Sequence, residues 1–225
     1  MCSRYYRRSA GQHIAEHFGV ARPSSFAISP SYNIAPQTIQ PVVRLREESF
    51  ERELVPMRWG FIPHWARDAS IGIGAINANC ETVTTGAVFR DAIRHRRCLI
   101  PADGYFEWQE NARKVKQPHA VCLKSGTPFA FAGLWERWIE RTTNRPLETY
   151  TILTTEPNDL IASIHDRMPV ILAPKDYERW MAPAEPAHLP VDLLRPYATE
   201  EMITWKVGIW VGDVRNDEAT LIGPR

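Results

Sequence analysis

The sequence predicts an α+β fold that is mainly β, a mixed or partly closed barrel-like sheet with a few short helices. Three observations lead there. Short runs rich in β-branched and aromatic residues recur, turn signals such as Ser125-Gly126-Thr127-Pro128 separate them, and helical periodicity is confined to brief segments. The 225 residues suffice for one substantial core. No repeat, low-complexity tract or linker divides them, so a single domain over residues 1–225 is expected.

In chain order, residues 9–18 carry Ile14 and Phe18 four apart, with Ser9 placed to cap and Gly19 to stop, which predicts a first helix. Residues 23–36, rich in Ser and Pro, read as a long ordered loop. Residues 41–45 and 52–59 have the pattern of a hairpin pair. Strands are expected over residues 98–100, 119–123, 128–134, 149–153 and 170–172, with a late strand over 202–207. Residues 157–164 and 174–181 can form brief helices, the second opening with Pro174 in its first turn.

A hydrophobic share of 44% and a charged share of 24% argue against disorder. No apolar run approaches the roughly 18 residues of a membrane span, and the start lacks the apolar core of a signal peptide, so a cytoplasmic protein is expected. Cys2, Cys80, Cys98 and Cys122 stand far apart with no C-x-x-C pair, which leaves no zinc pattern. The last three read as buried packing thiols. With 27 Lys plus Arg against 26 Asp plus Glu there is no global attraction to a polyanion, so a nucleic-acid site must be local. Two Arg groups are candidates, Arg4, Arg7 and Arg8 beside the N-terminus and Arg90, Arg94, Arg96 and Arg97 further on, although such groups also occur as solvated faces.

Removal of Met1 generally requires a small second residue, and here it leaves an α-amine and a thiol on adjacent carbons of Cys2, a 1,2-aminothiol. An α-amine with a pKa near 7.7 to 8 is appreciably neutral at physiological pH and condenses with an aldehyde to a Schiff base. The thiol then closes a five-membered thiazolidine ring, which no internal Cys or Lys can do. Read alone, a cysteine at this position is also compatible with no function.

Glu107, in Pro101-Ala102-Asp103-Gly104-Tyr105-Phe106-Glu107-Trp108, is flanked by aromatic residues that can desolvate its carboxylate, raise its pKa and make it a proton shuttle; a strand-end salt bridge is the alternative. His165, in Ile164-His165-Asp166-Arg167-Met168-Pro169, interrupts apolar segments and can exchange protons or serve as a structural donor. Asn77 and Asn79 can bond a sugar hydroxyl or brace a turn. Trp59 and Trp65, in a Gly- and Pro-containing segment, can stack on single-stranded bases or pack in the core.

Taken in order, Met1-Cys2-x-Arg4, Tyr32-Asn33-Ile34-Ala35-Pro36, Trp59-Gly60-Phe61-Ile62-Pro63-x-Trp65, Ile76-Asn77-Ala78, the segment ending Phe106-Glu107-Trp108, and His165-Asp166-Arg167-Met168-Pro169 resemble the SRAP family, the SOS-response-associated peptidases. The resemblance spans nearly the whole chain. It implies a compact, mainly β domain of the DNA damage response that binds single-stranded DNA and forms a thiazolidine with the ring-opened aldehyde of an abasic site, shielding the damaged strand. By the same resemblance Cys2 is the nucleophile, Asn77 orients the sugar, Glu107 transfers protons and His165 assists sugar opening, Schiff-base chemistry and its reversal. Arg4, Arg167, Trp59 and Trp65 are the candidate DNA contacts.

The implied chemistry needs no metal or organic cofactor. The expected protein is a monomer that associates with the nucleoid when bound to DNA and with replication-fork proteins as candidate partners. Two positions depart from the family pattern, Ser3 where Gly is common and Asn79 where Arg is common. The second removes a phosphate contact, which predicts weaker or more salt-sensitive DNA binding. Weak lyase cleavage from the Schiff base, a cysteine peptidase limited to its own N-terminus, and a noncovalent single-stranded or modified-DNA reader are the other activities compatible with these residues.

Overall fold

The computed structural model describes residues 2–21, 27–46 and 48–225. Along the chain run β1 (Arg4–Arg7), α1 (Gly11–His17), β2 (Ser31–Ile34), β3 (Ile39–Leu45), β4 (Arg52–Trp59), α2 (Ile71–Gly74), β5 (Asn77–Asn79), α3 (Ala92–His95), β6 (Arg97–Ala102), β7 (Gly104–Glu110), β8 (Lys116–Leu123), β9 (Phe129–Ile139), β10 (Pro146–Thr155), α4 (Asp159–Ala162), β11 (Met168–Pro169), β12 (Ile171–Leu172), α5 (Tyr177–Met181) and β13 (Met202–Lys206). The fold is mainly β, as the sequence predicts. Ladders joining β4, β3, β6, β9 and β10 return to β4 and close a five-stranded barrel. Closure depends on β10 running parallel to β4, with Tyr150 opposite Trp59; the other four pairings are antiparallel. A second sheet, ordered β13, β8, β7, β1, β2, packs beside it.

The barrel closes around aromatic side chains. Tyr5 meets Trp59 and Phe131 edge-on with ring centroids 5.3 and 5.7 Å apart, and its hydroxyl shares a 2.8 Å hydrogen bond with Tyr150. Edge-to-face contacts of this kind add to the free energy of burying the rings themselves. Gly133 permits the close approach of β9 and β6, because a Cβ there would stand 2.3 Å from Ile100 Cδ1. Gly104 does the same for the second sheet, where a Cβ would meet the Tyr6 hydroxyl at 2.2 Å.

Several local expectations change. The first helix begins at Gly11 with Ala10 as its cap residue, and Ser9 instead bonds the Asp103 carboxylate through its backbone N–H (2.9 Å) and hydroxyl (2.8 Å). That carboxylate offers charge-assisted bonds, which outweigh a neutral helix cap. The expected loop over 23–36 contains strand β2, which pairs with β1; residues 23–26 of it lie outside the described residues. Among the presumed packing thiols Cys98 is buried, whereas Cys80 and Cys122 are half-buried. The Arg groups are only partly solvated, Arg8 and Arg90 being exposed. Arg7 is buried against Gln40 and the Ser29 carbonyl, Arg97 against the carbonyls of Ile93, Arg94, Trp180 and Ala182, and Arg96 pairs with Glu136. Among the described residues no helix is long and apolar enough to cross a membrane.

Candidate active site

The start of β1 brings Cys2 to the site. Its antiparallel register with β7, Arg4 opposite Phe106 and Tyr5 opposite Tyr105, lays the chain start alongside Glu107. Alternation along β7 sends Tyr105 into the core shared with Cys2 and Tyr5, while Phe106 packs with Tyr6 on the other face. In the 225-residue chain, Met1 included, Cys2 is 0% exposed, and burial pushes its thiol pKa well up.

Asn77 reaches Cys2 directly: its Nδ2 donates to the Cys2 carbonyl at 2.8 Å. The strand carrying it is held from both sides. β5 runs parallel to β10, with Asn77 opposite Ile152, and the Trp59 indole N–H donates to the Ile76 carbonyl at 2.8 Å. That bond corrects the expectation for Trp59. The residue is 0% exposed, stacked on Tyr150 inside the barrel, and cannot lie against a base. It anchors the residue before Asn77 instead.

Glu107 is buried, and burial raises its carboxyl pKa to about 7. Its Oε1 accepts from the Trp108 backbone N–H at 3.2 Å and stands 4.0 Å from His165 Nε2. His165 follows α4, which Asn158 caps by accepting from the Ile161 N–H and ties down by donating to the Tyr197 carbonyl. Burial lowers the His165 pKa, favouring a neutral ring. Its Nδ1 lies 3.0 Å from the Arg167 backbone N–H and 2.9 Å from the Asp166 carboxylate. The neutral ring accepts the backbone proton at Nδ1, which places the Nε2 proton toward Glu107. A protonated ring turns Nδ1–H to Asp166. These groups open on a cleft of about 700 Å³ whose lining includes Ser3, Arg4, Trp108, Lys116 and Gly212.

The expected DNA contacts separate here. Arg4 lines the cleft, with its Nη1 donating to Asn33 Oδ1 (2.8 Å) and the Val211 carbonyl (3.0 Å). Arg167 grips Glu81 through both terminal nitrogens, at 2.7 and 2.9 Å, and donates to the Thr154 carbonyl at 2.7 Å. The pair holds the Glu81 carboxyl down near about 2, so Arg167 acts as a brace and meets a phosphate only by releasing Glu81. Trp65 is 49% exposed but is not among the cleft-lining residues. Lys116 and Gly212 escaped the sequence reading, because neither belongs to a recognisable motif and only the pairing of β8 and the course of the C-terminal segment bring them here. Among the described residues no three His, Cys, Asp or Glu side chains converge as a metal site would require.

A family model described as SOS response associated peptidase (SRAP) matches residues 1–214. The chain belongs to the SRAP family. Its relatives include the abasic site processing protein YoaM of Bacillus subtilis, 40% identical over 99% of this chain and 97% of that one, and the abasic site processing protein YedK of Escherichia coli, 31% identical over 86% and 84%. A crystal structure of a protein from Bacteroides thetaiotaomicron superposes with a TM-score of 0.90 at 26% identity, each chain covered completely. The SRAP departures take definite places in this site. Ser3 lines the cleft, and Asn79 is exposed on β5 with its Oδ1 accepting from the Thr154 hydroxyl at 3.2 Å.

Proposed function

We propose that this protein captures abasic sites in single-stranded DNA covalently, through a thiazolidine formed by Cys2 once the Met1–Cys2 peptide bond has been hydrolysed. The observation that carries the reading is convergence: Asn77 bonded to the Cys2 carbonyl, beside a cleft whose wall includes their chain neighbours Ser3 and Ile76 together with Glu107 and His165, which stand 4.0 Å apart. Family membership, and relatives named as abasic site processing proteins, supply the substrate.

The residues divide the work as follows. Asn77 fixes the Cys2 backbone so that the amine and Sγ approach one carbon. The neutral α-amine attacks the aldehyde carbon of the ring-opened deoxyribose, and the amine proton passes to the alkoxide. Glu107, poised near neutrality, protonates the departing hydroxyl, water leaves, and the remaining nitrogen proton returns to the Glu107 carboxylate to give the Schiff base. Sγ adds to the imine carbon and its proton goes to the nitrogen, closing the ring. The net change is amine, thiol and aldehyde giving thiazolidine and one water. His165, neutral at physiological pH, exchanges the proton needed to open the sugar hemiacetal. Before Sγ adds, the Schiff base can instead lose a C2′ proton and eliminate the 3′ phosphate, which is the route to weak lyase cleavage.

Intact-mass analysis and denaturing gels of the protein mixed with single-stranded DNA bearing one abasic site test this reading, with undamaged DNA as control. A Met1-less protein carrying the DNA mass minus one water is expected. Cys2→Ala keeps the amine but lacks the thiol, so it should give no heat-stable adduct and a shift toward strand cleavage. DNA binding with no adduct surviving denaturation, in a protein already lacking Met1, would favour the noncovalent reader.

A further inference from the structure

Beside the cleft a large aromatic side chain stands in solvent on a fixed mount. Trp210 is 71% exposed and Ile209 63% exposed, both on the helical turn Ile209–Gly212. The backbone beneath them is tied down. Val211 is buried in the cluster with Tyr6 and Phe106, and its carbonyl accepts from Arg4 Nη1 (3.0 Å) and Asn33 Nδ2 (3.2 Å). The Trp210 carbonyl accepts from Asn216 Nδ2 (2.9 Å) and the Asp213 N–H (3.2 Å). Gly212, two residues on, is part of the cleft wall that holds Glu107 and His165.

An exposed Trp forgoes the burial that indole usually contributes to a core, whereas a rigidly presented indole is well suited to a base, since every base offers a π-face. Arg4, which lines the same cleft, is held by Asn33 and the Val211 carbonyl and interacts electrostatically with Asp213, so a braced cation lies next to the apolar rim. A stacking surface beside a cationic side chain matches a nucleotide strand. Two exposed side chains fall far short of the roughly 800 Å² per partner that a stable protein interface uses, which disfavours a second copy or another protein.

We propose that Trp210 is the stacking platform for the base next to the abasic sugar, on the strand held across the cleft. The proposal rests on the abasic-DNA reading and deepens it by assigning the flanking-base contact. Indole and base exchange no proton and form no bond, so Trp210 contributes to holding the strand while Cys2 does the chemistry.

Noncovalent binding is measured in the Cys2→Ala background by fluorescence anisotropy of labelled single strands containing one tetrahydrofuran abasic analogue, with Trp210 intact or replaced. Trp210→Ala should weaken binding roughly five- to tenfold, the lower end for a single base stack, while Trp210→Phe retains most of the affinity. The salt slope should not move, because no phosphate contact is lost. A second set of strands lacks the neighbouring base on the 5′ or the 3′ side as well. On one of these two the Trp210→Ala penalty should vanish, which identifies the stacked base. Equal binding by Trp210→Ala and its parent on every strand overturns the assignment, as does a penalty unchanged by removing either neighbouring base. A DNA affinity untouched by Trp210→Ala, together with loss of a larger species in sedimentation, would assign the rim to self-association. Failure of the protein with Cys2 intact to form an abasic adduct counts against the covalent reading alone, and the anisotropy comparison still decides the role of Trp210.

Discussion

Glu107 should hold the protein below its greatest attainable stability, and the size of that cost follows from its surroundings. Burial moves its carboxyl from an ordinary 4.5 to about 7, a difference of about 3 kcal/mol between its protonated and ionised forms. Because the folded value is the higher one, folding favours the protonated form. The stabilising contribution is complete below about pH 4.5 and is lost as pH rises through about 7. Glu107→Gln keeps the side-chain size and an oxygen to accept the Trp108 N–H (3.2 Å in the parent), but carries no charge. The variant should therefore match the parent near pH 4.5 and exceed it by up to about 3 kcal/mol at pH 8, while losing adduct formation. Urea unfolding of both proteins at pH 5, 6, 7 and 8 provides the test, with the difference between them cancelling every other titrating group. A difference that stays constant across that range would refute the claim that the buried carboxyl ionises at this position against an opposing desolvation cost.

Two further perturbations probe other parts of the site. Trp59→Ala should cost about 3–5 kcal/mol of stability by emptying the barrel and freeing the Ile76 carbonyl, whereas Trp65→Ala, on the surface, should change it by under about 1 kcal/mol; equal shifts in their urea midpoints would contradict the placement of Trp59. Asn79→Arg should tighten single-stranded DNA binding and steepen the dependence of log affinity on log salt by about 0.7, the increment for one added phosphate contact. Affinity and slope equal to the parent's would mean that this exposed end of β5 does not face the strand.

Much of the proposed chemistry can be stated from the sequence because it depends on covalent structure and local order. Once Met1 is removed, a 1,2-aminothiol follows from the position of Cys2, and six short motifs in order identify the family before any contact is known. The hairpin of β3 and β4 and the strand character of β6, β8, β9 and β10 were also readable, since β-branched and aromatic runs between turn signals report local preference. Strand β1 and the pairing of β7 with it were not. Strands buried on both faces lose the alternation that would mark an inner side, as the buried runs Tyr5–Arg7 of β1 and Gly104–Glu107 of β7 illustrate.

Which side chains of a motif are buried or held by a partner and which are left exposed was decided only by tertiary structure. Trp59 and Trp65 stand six residues apart in one segment, yet one is walled in by Tyr5 and Tyr150 and the other meets solvent. Arg167 reads as a phosphate ligand until Glu81, 86 positions away, takes both its terminal nitrogens. Trp210 belongs to no recognised motif and becomes interesting because Arg4 and Asn33 pin its neighbour at the cleft wall. The sequence by itself determined the candidate reactive groups, since those are properties of single residues and their neighbours. Exposure, ion-pair partners and proximity to Cys2 belong to pairs of residues far apart in the chain, and only barrel closure and the β1–β7 register bring such pairs together.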